Sequence, residues 1–332
     1  MPIQHFDQIP EQVHLEPKSF LQWLGKTSII KAGHSSPCLV LFCLIHGNEP
    51  SGFYAFQELL KKLYSQDYLQ KTVYFVFANV KAALSSIQFD IRFTEDQSDL
   101  NRIWENAGKN TEQNQIVEEL KQFIKEKKPQ LLVDFHNTSG SNPVYLITPP
   151  NFDHSLIQKY SYFSTRILED NDGRMLISWS DKICPSFLIE CGKNISPQSH
   201  CHAQEILEKV LIFSQAQAGQ IFFPEKIQIA SNPSTFFVKP GTEITIADHN
   251  TGTDLVLRTD LDQYNDQLLP AGFFFGWANK PGIIKHEKMA IVDNQLLLKT
   301  EAALILLTTS IPAIQKTCLG YFVDVEEIVL KK

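Results

Sequence analysis

Between Leu39 and Ser214 the chain alternates short β-branched and aromatic runs with stretches whose apolar residues return every three or four positions. Runs of the first kind read as strands and stretches of the second as helices, and their alternation points to a mixed, mostly parallel α/β sheet flanked by helices. The spacing predicts strands at 39–45, 72–78, 131–135, 144–148, 175–179 and 186–189. The first is a continuous apolar run bounded by Pro37 and Gly47, the pattern of a strand buried on both faces. Phe53, Phe56, Leu59, Leu60 and Leu63 form one helical stripe, with Ser51 as its expected cap. Ile116, Val117, Leu120, Phe123 and Ile124 form a second, ending before Pro129, and a third helix is expected over 199–213. A long polar connection, 79–110, shows little periodicity, and connections of that length commonly carry function.

Beyond Gln220 the pattern becomes short strand-like pieces punctuated at Pro240-Gly241, Asn250-Thr251-Gly252, Pro270-Ala271-Gly272 and Pro281-Gly282. This predicts two domains: a larger one over 1–220 and a smaller β-rich one over 221–332.

A chain of 332 residues with 43% hydrophobic and 20% charged residues can bury a core of that size. Its net charge of −7, with the basic residues scattered, offers no stripe for a phosphate backbone, so nucleic acid is not an expected partner. No apolar run approaches the roughly 20 residues needed to cross a bilayer, and residues 1–20 lack the pattern of a secretory signal. Six cysteines without a Cys-x-x-Cys pair fit a reducing cytoplasm, where Cys43 and Cys191 read as small buried hydrophobes rather than nucleophiles.

His46 follows the first predicted strand, His136 follows the strand at 131–135, and Glu190 ends the strand at 186–189. Ligands of open α/β sheets bind outside the carboxyl ends of strands, so these residues can converge although the sequence separates them. His46-Gly47-Asn48-Glu49 sets an imidazole and a carboxylate three residues apart on one turn, and His136 completes the two histidines and one carboxylate of a catalytic zinc site. Gly47 is expected to give that turn an unusual backbone conformation. Glu190 is the candidate proton carrier beside the ion. The long connection supplies Arg92 to face a developing oxyanion, then Asn101 and Arg102, whose planar fork suits a carboxylate. Each residue also has a plainer explanation: His-x-x-Glu arises by chance, His136 fits a hydrogen-bonded core histidine, Glu190 fits a partner for the following helix, and Arg102 fits a surface ion pair with Asp99. Their joint occurrence at strand exits strengthens the case for a site and leaves both readings open.

Four segments resemble the motifs of the succinylglutamate desuccinylase and aspartoacylase family, of the zinc carboxypeptidase fold. They are His46-Gly47-Asn48-Glu49-Pro50-Ser51-Gly52, Asp99-Leu100-Asn101-Arg102, Asp134-Phe135-His136-Asn137-Thr138 and Ile189-Glu190-Cys191-Gly192, in the family's order. The resemblance implies one Zn2+ at His46, Glu49 and His136, proton transfer by Glu190, carboxylate recognition by Asn101 and Arg102, and an oxyanion role for Arg92. It also implies that the β-rich C-terminal domain borders the active-site entrance. Two departures stand out. The gap from Arg92 to Asp99 is about two residues longer than in aspartoacylases. Where those proteins carry an acyl-binding arginine this chain has Ser180, with Lys182 the nearest base, so N-acetylaspartate and N-succinylglutamate are not assumed as substrates. His200-Cys201-His202 is read as structural, since residues two apart do not share a helix face.

The sequence therefore predicts a zinc-dependent amidohydrolase acting on an N-acyl amino acid or a similar small carboxylate-bearing amide. It leaves open a carboxypeptidase acting on short peptides, a non-catalytic zinc or amino-acid binding protein, and assembly into a homo-oligomer. The serine-hydrolase elbow, phosphate-binding loop and dinucleotide fingerprint are missing from the sequence.

Overall fold

The computed structural model describes residues 3–66, 69–85, 87–105, 111–149, 154–169, 172–215, 221 and 223–330. The chain divides into two compact units, one made of Met1–Asn137, Val144–Ile227 and Val329–Lys332, the other of Thr138–Pro143 and Gln228–Ile328.

The first unit runs β1 (Gln4–Phe6), α1 (Pro17–Leu24), β2 (Ser28–Ala32), β3 (Leu39–Cys43), α2 (Ser51–Ser65), β4 (Val73–Phe77), α3 (Val80–Ala83) and α4 (Glu112–Lys127). It continues with β5 (Leu131–Thr138), β6 (Tyr145–Thr148), α5 (His154–Tyr160), β7 (Arg166–Glu169), α6 (Leu176–Ser180), β8 (Ser186–Lys193) and α7 (Pro197–Gln215). The strand order is β1-β2-β4-β3-β5-β8-β6-β7. β3 pairs in parallel with β4 and β5, and β6 with β7, whereas β2 meets β4 and β6 meets β8 antiparallel. The sheet is thus the mixed, mostly parallel one expected.

β3 is buried along its whole length because helices cover both of its faces. On one face α4 lays Ile116, Val117, Leu120 and Ile124 against Val40, Phe42, Val76 and Leu132. On the other, α2 places Phe56 against Phe75, Phe77 and Phe135 with rings edge to face. That helix lies close to the sheet through Gly52, where a Cβ would stand 2.7 Å from Phe135 Cβ and 2.8 Å from Cys43 Cβ.

Several expectations need correction. The segment 175–179 is not a strand: α6 spans Leu176–Ser180, buries Leu176, Ile177 and Ser180 at helical spacing, and has its first amide bound by the Asn101 side chain at 3.0 Å. Five residues, four of them apolar, carry too little periodicity to tell the two apart. Ser51 is the first helical residue of α2 rather than its cap, and its amide donates to Asn137 Oδ1 at 3.0 Å. β5 and β8 run past the expected ends, so His136 and Glu190 lie within strands; β8 stays paired there because Tyr145 of β6 is the register partner of Glu190. The connection 79–110 holds α3 and a 3-10 turn at Leu100–Arg102, while its residues 86 and 106–110 lie outside the described ones.

The second unit contains β9 (Lys226–Phe236), β10 (Ile244–Ile246), β11 (Leu255–Leu257), β12 (Gln267–Leu269), β13 (Phe274–Ala278), β14 (Met289–Val292), β15 (Gln295–Leu298), β16 (Ala302–Ile305), α8 (Ile311–Lys316) and β17 (Gly320–Val329). One set of strands runs β10-β11-β13-β15-β14 and another β9-β17-β16-β12. The predicted turn glycines Gly241, Gly252, Gly272 and Gly282 all have positive φ. Phe236, Phe275, Leu296, Leu304 and Phe322 form the centre of this unit's core. No helix among the described residues is long and apolar enough to cross a membrane.

Candidate active site

β5 is buried at every position, yet it carries Asp134, His136, Asn137 and Thr138. Polar side chains enter such a place only when partners offset their desolvation. His136 Nε2 lies 2.7 Å from Asp134 Oδ2, its Nδ1 lies 2.7 Å from Glu49 Oε2, and the Asn137 amide donates to the same Glu49 oxygen at 3.2 Å.

The turn after β3 brings the other half. Leu44 takes φ +56 and Gly47 does not have positive φ, so the expectation about Gly47 is corrected: its requirement is space. A Cβ there would fall 2.6 Å from the carbonyl carbon and Cβ of Ala82 and from the amide of Ala83. The turn is pressed onto α3 and tied to the long connection by a Gly47 amide bond to the Arg92 carbonyl at 2.8 Å.

His46 Nδ1 then stands 2.9 Å from Glu49 Oε1 without the alignment of a hydrogen bond, a buried ring nitrogen with no partner. Its Nε2 is 3.0 Å from Asp99 Oδ1. One ligating atom from each of His46, Glu49 and His136 lies within 4.8 Å of the others, and all three residues are buried. Two imidazole nitrogens and a carboxylate, with an orphaned nitrogen among them, fit a zinc ion, and in each histidine the ring nitrogen turned away from Glu49 faces a carboxylate that fixes tautomer and orientation. Asp99 and Asp134 belong to the motifs, and their place behind the two rings is visible only in the fold. An aspartate two residues before or a few dozen after a ligand histidine carries no signal by spacing alone.

Charge accumulates here. Burial opposes ionisation of Glu49, but His46 and His136 outweigh it and hold its carboxyl well below the usual range. Burial also opposes protonation of His136, and Asp134 and Glu49 raise it regardless. For Asp99, burial is outweighed by His46 and Arg92, and its carboxyl is held far below its ordinary value. Glu190 goes the other way: burial, reinforced by repulsion from Glu49, pushes its carboxyl up to about 8, and its Oε2 is buried without a partner. The thiols of Cys43 and Cys191 are pushed well above their ordinary range by burial, so neither is a ready nucleophile or ligand.

Arg92 is half-buried and braced, with Nη1 donating to Glu49 Oε1 at 2.9 Å and Nε and Nη2 donating to Asp99 Oδ2 at 3.3 Å each. Asn101 is buried with Oδ1 committed to α6. Arg102 does not pair with Asp99; its Nε lies 3.2 Å from Asp172 Oδ2. Ser180 is buried and bonded to Ser186, and Lys182 pairs with Glu105 near the surface. In the His200-Cys201-His202 segment, His200 lies against Tyr54, His202 faces the Cys191 carbonyl at 3.1 Å and Cys201 is exposed.

Residues 35–162 match the succinylglutamate desuccinylase/aspartoacylase catalytic domain family, a span that includes the first three motifs and stops short of Glu190. No curated protein sequence matches the chain. Similar solved structures include succinylglutamate desuccinylase/aspartoacylase from Rhodobacter sphaeroides, at a TM-score of 0.61 and 16% identity over 92% of this chain and 89% of that one. The ectoine utilization protein EutE (DoeB) from Ruegeria pomeroyi gives 0.60 and 16% over 83% and 81%. Murine aminoacylase 3 gives 0.58 and 16% over 89% and 98%. The resemblance drawn from the four motifs is borne out: the chain has the fold of succinylglutamate desuccinylase/aspartoacylase proteins, and its residues 35–162 carry that family's catalytic-domain match.

Proposed function

We propose that the protein is a zinc-dependent amidohydrolase that releases the acyl group from an N-acyl amino acid or a similar small carboxylate-bearing amide, with residues 1–220 as its catalytic domain. The observation that carries this reading is the convergence of His46, Glu49 and His136 within 4.8 Å, beside a glutamate whose carboxyl is pushed up to about 8.

His46 Nδ1, Glu49 and His136 Nδ1 would hold a zinc ion, which would supply a Lewis acid that polarises a carbonyl and makes water more acidic. Asp99 and Asp134 hold the two imidazoles so that their Nδ1 atoms stay turned toward Glu49. Glu190 takes the proton from the attacking water and delivers it to the leaving amine, acting first as general base and then as general acid. Arg92, fixed by Glu49 and Asp99, keeps a cation beside the reacting carbonyl without having to move as negative charge develops. Asn101 and Arg102 hold the substrate carboxylate, with the Asn101 carbonyl accepting from Arg102 Nη1 at 2.9 Å.

The test is to assay zinc-loaded protein against a panel of N-acyl amino acids, their carboxamide analogues and dipeptides. The reading predicts turnover of N-acyl amino acids, loss of it on chelation, and poor use of the carboxamides. Preference for dipeptides would make the protein a carboxypeptidase, and zinc binding without turnover would make it a binding protein.

A further inference from the structure

Arg102 carries the carboxylate-binding role in the reading above, and its guanidinium already has two partners. Nη1 donates to the Asn101 carbonyl at 2.9 Å, and Nε lies 3.2 Å from Asp172 Oδ2. Asp172 is itself anchored. Arg174 Nε and backbone amide donate to its Oδ1 at 2.8 and 3.1 Å, Arg174 Nη2 donates to Oδ2 at 2.9 Å, and Ser178 Oγ donates to its carbonyl at 3.0 Å. Burial opposes ionisation of Asp172, but Arg174 and Arg102 outweigh it and hold the carboxyl below its ordinary range. Asp172 is therefore a permanent anion in a fixed place.

An arginine side chain loses much rotamer freedom when it captures a ligand, and one held beforehand has lost it already. The Asp172 carboxylate, 3.2 Å from Nε, and the Asn101 carbonyl on Nη1 hold this guanidinium beforehand.

We propose that Asp172 is a positioning residue for Arg102: its anchored carboxylate pairs with the guanidinium and holds it in place to receive the substrate carboxylate. The inference rests on the carboxylate-binding reading of Arg102. Asp172 lies 70 residues from Arg102 in the chain and outside the four motifs, so only the folded structure brings it to notice.

The test measures kcat and KM of the zinc-loaded enzyme for an N-acyl amino acid and for its carboxamide analogue. Asp172→Ala is expected to raise KM for the carboxylate about 10- to 100-fold, the scale of one charge-assisted hydrogen bond, with kcat near that of the wild type. The carboxamide should be indifferent to the change, which a general loosening of the fold would not produce. Arg174→Ala, at a side chain 60% exposed, loosens Asp172 without removing it and should raise KM by less. Arg102→Ala should raise KM as well, and adding Asp172→Ala to it should cost little more, because the two act as one unit. If Arg102→Ala raises KM while Asp172→Ala leaves it unchanged or lowers it, the positioning role is overturned and the carboxylate reading survives. If Arg102→Ala itself leaves KM unchanged, the carboxylate reading fails and this inference fails with it.

Discussion

Substituting Gly47 by alanine tests how the turn that carries His46 and Glu49 is held. The added Cβ would lie 2.6 Å from Ala82 Cβ, 2.6 Å from the Ala82 carbonyl carbon and 2.6 Å from the Ala83 amide nitrogen. Carbon atoms pack at about 3.5–4.0 Å, so the turn and α3 must separate by about 1 Å. Two of the three obstructing atoms belong to backbone, and the 2.8 Å bond from the Gly47 amide to the Arg92 carbonyl holds the turn from the other side. Overpacking of this kind costs about 1–3 kcal/mol, which lowers Tm by several degrees. The same displacement moves His46 and Glu49 relative to His136, and a misplacement of about 1 Å costs on the order of 100-fold in rate. Thermal unfolding of the metal-free protein reads the first effect; zinc titration against a chromogenic chelator and steady-state turnover read the second. A Gly47→Ala protein with the wild-type Tm, zinc affinity and rate would refute the close approach of turn and helix.

Glu190→Gln should leave one zinc bound per chain, by elemental analysis, while turnover falls about 10²- to 10⁴-fold, the scale of a general acid-base group; unchanged turnover removes Glu190 from the mechanism. In metal-free protein the Glu190 carboxyl, raised to about 8, is neutral in the fold, so its contribution to stability is complete below the unfolded-state value near 4.3 and is lost as pH rises through about 8. Melting curves between pH 5 and 9 in the presence of chelator should therefore fall more steeply for the wild type than for Glu190→Gln, and parallel curves contradict the shift. Asp134→Asn weakens the hold on His136 Nε2 and should reduce zinc affinity roughly 10- to 100-fold by competition titration; wild-type affinity would mean that the pair does not orient the ligand.

The sequence pointed to His46, His136 and Glu190 because each follows or ends a predicted strand, and ligands of open α/β sheets bind outside the carboxyl ends of strands. The turn glycines of the second unit were legible for a similar local reason, since Pro-Gly and Asn-Thr-Gly specify backbone conformation within a few residues. What escaped was set at long range. α6 looks like a strand in the sequence because Met175, Leu176, Ile177 and Trp179 are too few to show a period, and its first amide is bound by Asn101, 75 positions away. The ends of β5 and β8 were misjudged because His136, Asn137 and Glu190 look like loop residues, whereas Asn137 is held in its strand by bonds to the Ser51 amide and the Gly192 carbonyl. Gly47 is needed for space rather than for its backbone conformation, and its neighbours across the contact, Ala82 and Ala83, are far from it in the sequence.

The account stands on three side chains holding one divalent ion. Diffraction from crystals of the zinc-loaded protein, recorded at the zinc absorption edge, locates that ion directly. The expected result is an anomalous peak about 2.0–2.2 Å from His46 Nδ1, His136 Nδ1 and a carboxylate oxygen of Glu49. Zinc bound elsewhere in the chain, with these three residues left uncoordinated, would contradict it.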